Sequence, residues 1–323
     1  MGGRARAGTP GGGQGASASD RLSGAAARTI AGATAAGLRR RYARDRLMVG
    51  LLVAATALVL TPLLIIVSYV VVNGVGGLTA DFFTADLGSP ARTLRGTPTG
   101  LGHTIIGTLV VDTLALLIAL PIGIGAGIML SEYPEHRLNP LLRVLNDTLN
   151  GMPAILKGLL AFAIIVKPMG TFSGVAGGAA LSFVMIPILA RSTEGVLRII
   201  PWSIREAGLA LGLPRWRVVL SAVLPAARVG VVTGVLLAFA RAAGEAAPLL
   251  FTSFGNNYFS SGLARYLFGP VDTLPARLYS LAISPYREWH AMGWAAAFVL
   301  LALVIVAFVV ARVATRQRHQ GNL

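Results

Sequence analysis

The chain has 323 residues, of which 54% are apolar and only 13% charged, with a mean hydropathy of +0.70. Ordinary soluble domains carry about 25% charged residues; half that density, together with several long charge-free runs, excludes a soluble fold and marks an integral membrane protein. The absence of cysteine and the scatter of the four His residues exclude disulfides, thiolate metal sites and any obvious metal-ligand spacing.

Residues 1 to about 40 mix Gly, Ala, Ser and Arg with few large apolar groups. So little apolar surface does not offset backbone ordering entropy, and a disordered cytoplasmic tail is expected. The stretch is not a signal peptide, because the first apolar run begins only after the basic cluster Arg39, Arg40, Arg41, Arg44 and Arg46. Residues 41–316 read as one transmembrane domain with six spans, at about 47–72, 101–130, 145–166, 174–198, 229–254 and 291–311. The first and last are charge-free. The second is interrupted only by His103 and Asp112 and carries Gly123, Gly125 and Gly127, which permit close helix packing. Asp112 has two readings, pairing with a pore arginine or bonding to a neighbouring helix. The third span is weakened by Asp147 and Lys157, which suit an inclined helix or its wet face. The loop of residues 256–290 is either a contact for an outer partner or a solvated loop partly re-entering the membrane, and residues 317–323 form a basic tail.

Six spans put both termini on one side. With the termini inside, 19 of the 28 Lys and Arg residues are cytoplasmic, six are outside and three lie within spans. This asymmetry obeys the positive-inside rule. The net charge of +15 therefore reports a multi-pass cell-membrane topology with cytoplasmic termini, and no nucleic acid is expected as a partner.

Residues 201–225 are too polar to span. Ser203 and Glu206 form an S-x-x-E capping box, while Gly212 suits a left-handed C-terminal cap with Pro214 beyond it. A short cytoplasmic helix over residues 204–211 follows, with Ala207 and Gly208 allowing close approach. It either docks a cytoplasmic partner or lies along the membrane interface.

Arg191 with Glu194 and Arg241 with Glu245 are spaced three and four residues apart, so each pair shares a helix face. Charges at membrane depth cost roughly 2.5–3.5 kcal/mol each even on insertion scales, and normally face a bundle interior or an aqueous path. One reading is an anion route in which each Glu holds and compensates its Arg, whose planar fork suits a tetrahedral oxyanion. The other is two structural ion pairs clamping helices.

The loop motif Glu206-Ala207-Gly208, three residues, Gly212, nine residues, then Ala222-Val223-Leu224-Pro225 resembles the EAA loop of importer-type ABC permeases. Gly208 and Ala222 replace the usual Ala and Ile. Arg191-Ser192-Thr193-Glu194 and Arg241-Ala242-Ala243-Gly244-Glu245-Ala246-Ala247-Pro248-Leu249-Leu250-Phe251 are similar to stretches of PstA-type permeases of phosphate importers, with Ala246 replacing Thr. Ser131-Glu132-Tyr133 and the segment Ser284-Pro285 to Ala295 are also similar, and the resemblance runs over about residues 47–313.

What the resemblance implies is an all-α, type I ABC importer permease that needs no cofactor and performs no catalysis itself. It implies a PstC-type permease, an ATP-hydrolysing PstB-type dimer and an external PstS-type phosphate-binding protein as partners, with inorganic phosphate as cargo and lipid as surroundings. It assigns ATPase coupling to Ser203, Glu206, Ala207, Gly208 and Gly212, and the substrate pathway to Arg191, Glu194, Arg241 and Glu245. Within transport the alternatives are a PstC-type permease or one for sulfate or molybdate. An ion-coupled secondary transporter would show inverted repeats, which are not apparent, and a non-transporting scaffold leaves the buried charges unexplained.

Overall fold

The computed structural model describes residues 18–320, with side chains for residues 41–42, 44–92 and 95–313. Among them every regular element is helical. The chain divides into two units at Val67 and Ser68.

The described part of the first unit belongs to α1, Ala18–Val75. The expected disordered tail is corrected here, since residues 18–40 are helical. The segment is rich in Ala, the best helix former, and contains no Pro before Pro62. Poor burial capacity excludes a packed core but not a local helix. Residues 1–17 and 321–323 of the two expected tails lie outside the described residues.

The second unit holds the end of α1 and all later elements. Thr79 caps α2 (Ala80–Thr84), its hydroxyl accepting the Phe82 N–H at 3.2 Å, and α3 is Pro90–Leu94. Then come α4 (Gly102–Glu132), α5 (Asn139–Gly151), α6 (Ala154–Ala161), a π-helical turn at Phe162–Val166, α7 (Lys167–Met169) and α8 (Gly174–Ile199). Residues 202–226 form α9 (Trp202–Ala210), α10 (Arg215–Val218), a second π-helical turn at Val219–Val223 and α11 (Leu224–Ala226). The remainder is α12 (Arg228–Ala243), α13 (Ala247–Leu250), α14 (Leu263–Phe268), α15 (Leu274–Ala282) and α16 (Arg287–Gln320).

Four helices are long and apolar enough to cross a membrane, within α1, α4, α8 and α16, or six if each of two bent pairs counts as one span. These match the first, second, fourth and sixth expected spans. The third expected span is broken, with a 112° bend between Asn139–Gly151 and Ala154–Met169, where Pro153 enters in extended backbone. The fifth, expected to reach residue 254, stops at Ala243 and is preceded by a 77° bend after α11. Gly244 and the N–H-less Pro248 fall where the helix would have to continue. Residues 256–290 are not solvated throughout: 271–277 are buried, whereas 257–259 and 261–265 are exposed. Arg277 Nε donates to buried Asp272, Arg277 Nη2 donates to Asn257 at 2.5 Å, and the Leu274 N–H donates to the Thr108 hydroxyl of α4 at 2.8 Å.

The most extensive helix pair is α4 with α8, and small residues make it close. A methyl group on Gly123 would sit 2.6 Å from Leu189 Cβ, one on Gly127 2.6 Å from Thr193 Cβ, and one on Gly178 2.6 Å from Leu114 Cβ. Gly125, on the other side of α4, has open space, so the expected close packing uses Gly123 and Gly127 alone. Around this seam gather Val111, Ala115, Leu181, Met185, Ala238 and Leu249. Gly127→Val should lower the stability of the purified chain by about 1–3 kcal/mol through overpacking, whereas Gly125→Ala should be neutral or slightly stabilising. Thermal unfolding in detergent checks this, and equal midpoints for the two variants would refute the seam.

Candidate functional site

The loop between α8 and α12 places its helix two residues earlier than expected at its start. Pro201, not Ser203, is the N-cap of α9, and no side chain caps it. Ser203 lies inside the first turn, so the capping box does not form: its hydroxyl is already past the position from which it reaches the exposed N–H groups. The C-terminal expectation holds. Gly212 adopts φ +77°, with Gly212 N–H donating to Leu209 O at 2.9 Å and Leu213 N–H to Gly208 O at 3.3 Å, the paired bonds of a Schellman motif.

Gly208 is buried against α10, where an added Cβ would lie 2.8 Å from both methyls of Val218. Val218 thus fills the space that Ala at position 208 would need. Glu206 and Ala207 are exposed on the opposite side of α9.

A residue that sequence reasoning missed anchors this helix. Arg205 donates from Nε to Glu132 Oε2 at 2.8 Å and from Nη2 to Glu132 Oε1 at 2.5 Å. It also donates to the carbonyls of Ile200 and Leu197, both at 2.9 Å. Hydrogen bonding to Glu132 raises the Arg205 pKa above its already high ordinary value, so the guanidinium stays protonated. Glu132 stood in a recognised motif, but nothing in the spacing of two residues 73 apart signals a contact.

The membrane-depth charges form two groups. In the first, Arg191 does not pair with Glu194. Arg191 pairs with Asp147 of α5, and Glu194 accepts from Arg143 of α5 at 3.1 Å and from Arg198 at 2.7 Å. The bend that separates α5 from α6 delivers Arg143 and Asp147 to this face. In the second group the Arg241–Glu245 pair forms as expected, at 2.8 Å across the end of α12. Buried Lys157 of α6 lies within Coulomb reach of both. Asp112, also buried, leaves Oδ2 without a hydrogen-bond partner among the described residues.

Exposure separates the partners in one group only. The Arg241 side chain is 64% exposed and Glu245 12%, whereas Arg191 and its partner Asp147 are 56% and 58% exposed, with Glu194 at 13%. Both guanidinium groups are accessible, while Glu245 and Glu194 are largely covered. Each group carries one more formal positive than negative charge. Gly230 meets Val196 and Gly234 meets Ser192, so α8 and α12 run antiparallel in register. At 1.5 Å rise per residue, Arg241 lies about 9 Å further than Arg191 from the α9 end.

The chain matches the family model described as binding-protein-dependent transport system inner membrane component over residues 119–319. It is 40% identical to the phosphate transport system permease protein PstA of Yersinia pestis over 244 residues, covering 75% of this chain and 80% of that one. The chain belongs to the PstA-type permeases of that family. It is also 36% identical to PstA of Pasteurella multocida over 281 residues, 87% of this chain and 97% of that one. Among solved structures, a chain of the inward-facing MetNI methionine ABC transporter aligns with TM-score 0.52 at 20% identity, covering 68% of this chain and 94% of that one. The permease therefore has the all-α fold of type I ABC importers, as the sequence resemblance implied.

Gly208→Ala should destabilise the permease by about 1–3 kcal/mol through collision with Val218, and Val218→Ala added to it should restore most of the loss. Thermal unfolding of the single and double variants measures the interaction; strictly additive losses would show that Val218 is not what excludes the methyl.

Proposed function

We propose that this chain is one permease half of an ATP-driven inorganic phosphate importer, and that the two staggered arginine groups are successive stations for the anion. The observation that carries the reading is the presentation of Arg241 and Arg191, in a chain whose relatives bear the phosphate transport name. Each guanidinium is exposed while a largely covered carboxylate, Glu245 or Glu194, lies within four residues of it in the chain, and Arg191 keeps the exposed Asp147 as its partner.

A phosphate anion must leave water to cross, and the net positive charge of each group offsets that loss. Arg offers two parallel N–H donors to two phosphate oxygens and stays ionised. Glu245 holds Arg241 in place and compensates its charge when the station is empty. Asp147 does the same for Arg191, with Arg143 and Arg198 holding Glu194 aside. With the α9 end cytoplasmic and both termini inside the cell membrane, phosphate entering from outside meets Arg241 first and Arg191 about 9 Å later.

The driving subunits lie outside this chain, which supplies no catalytic step. Ser203, Glu206, Ala207, Gly208 and Gly212 belong to the helix that docks an ATP-hydrolysing dimer. A PstC-type permease completes the pathway, and an external binding protein delivers phosphate. Closure of the ATPase dimer draws the coupling helices together and the two permeases rock, giving alternating access.

The test is ATP-dependent uptake of radiolabelled phosphate into proteoliposomes containing this chain with its permease, ATPase and binding-protein partners. Loss of one charge-assisted contact is worth about 1.5–3 kcal/mol, so Arg241→Gln and Arg191→Gln should each cut uptake roughly tenfold or more with assembly intact. A wild-type complex that ignores phosphate, or two variants that transport normally, would sink the proposal.

A further inference from the structure

We infer that Arg205 and Glu132 form a rigid joint that makes α9 move as one body with the cytoplasmic ends of α4 and α8, and so sets how much transport each ATP produces. The inference rests on the reading of α9 as the ATPase-docking helix.

The covalent link from α8 to α9 is weak as a lever. It consists of Ile200 and Pro201 in extended backbone, and a nine-residue helix has little stability of its own in water. A push on α9 would bend this link unless something else fixes the helix. Arg205 supplies the fixation in two directions. Toward α8, it takes the Leu197 carbonyl, which otherwise accepts only the C-cap Ile200 N–H at 3.3 Å, and the Ile200 carbonyl at the helix end. Toward α4, it binds both oxygens of Glu132, the last residue of that helix.

The fork-to-fork contact fixes orientation as well as distance. It is also dry, with side-chain exposures of 8% for Arg205 and 1% for Glu132, so neither water nor salt competes for it. Trp202 covers the guanidinium, its ring centre 5.4 Å away. A second cation lies across the same junction, Arg215 of α10 standing 5.1 Å from the ring of Tyr133 next to Glu132. Buried ion pairs are often replaceable by apolar residues without loss of stability. What the apolar replacement lacks is a fixed direction, and direction is what a lever needs. Arg205 is thus a positioning residue, touching neither phosphate nor nucleotide.

The first measurement keeps the joint intact. The chain has no Cys, so spin labels at Gly125→Cys, where the added side chain meets open space, and at the exposed Leu211→Cys address α4 and α9 alone. In the assembled complex their separation should stay within about 2 Å between the nucleotide-free and ATP-trapped states, the scale of ordinary helix shifts. A larger change overturns the rigid joint, whatever solute the complex carries.

The second measurement breaks the joint while keeping charge or shape. Arg205→Lys and Glu132→Gln should each lower phosphate imported per ATP hydrolysed by roughly fivefold or more, while binding-protein-stimulated hydrolysis stays within about twofold of wild type. A merely structural pair would lower both activities in parallel with the melting temperature, and that result, or an unchanged ratio, overturns the proposal. Bridging Glu132→Cys to Arg205→Cys with a short bis-methanethiosulfonate should return the ratio toward the wild-type value. A wild-type complex that imports no phosphate overturns the transport reading instead, and the label separation still decides the joint.

Discussion

Everything in the second unit is oriented by the close approach of α4 to α8. Gly123, Gly127 and Gly178 let the two backbones meet with Leu189, Thr193 and Leu114 filling the seam. Without a hydrophobic drive between helices in lipid, such contact is what holds a membrane bundle together. The seam also sets the rotation of α8. With Thr193 turned to α4, the 100° step per residue carries Ser192 and Val196 round to α12, where they meet Gly234 and Gly230. The same rotation leaves Arg191, Glu194 and Arg198 together on a third face, the one that α5 covers with Arg143 and Asp147. The charged face is thereby placed by residues that carry no charge at all.

The second consequence concerns charge balance. Ion pairs that serve only as clamps are expected to bury both partners, as Arg205 with Glu132 and Arg277 with Asp272 do. The Arg241 pair is lopsided, with an accessible cation and a withdrawn carboxylate. Exposed ion pairs contribute little to stability, so this arrangement is poor engineering for a clamp. It fits the proposed reading, in which an anion completes the surface and the excess positive charge of each group offsets its lost hydration.

Much of this was legible from residue order. Four spans were readable because long uninterrupted apolar runs leave few alternatives, and the left-handed cap at Gly212 because a glycine two residues before a proline has a local explanation. The two departures were not readable: residues 145–166 and 229–254 have enough apolar content for a span, but the first is bent at Pro153, and the second starts after a bend between Ala226 and Arg228 and ends at Ala243. The loss propagated to the site. With α5 drawn straight through the membrane, Asp147 had no route to Arg191, and the nearer Glu194 took its place by helical spacing. The Arg205–Glu132 contact illustrates the general limit, because local patterns describe neighbours three or four apart and say nothing of partners 73 residues away. The helix over residues 18–40 was missed for the opposite reason, composition being weighed for burial when alanine content speaks for local structure.

Two π-helical turns, Phe162–Val166 and Val219–Val223, lie in the two bent helix pairs, Ala154–Met169 in the first and Arg215–Ala226 in the second. A π turn inserts one residue into an α-helical register, and one residue is 100° of azimuth. A helical wheel drawn through either turn is therefore skewed beyond it. For the segment that leads into α12, a single-residue indel is equivalent to a rotation, so two homologues that differ by one residue near position 221 can present the same side chains after what looks in an alignment like a frameshift of faces. Comparisons of pathway residues across such proteins need the azimuth aligned before the letters.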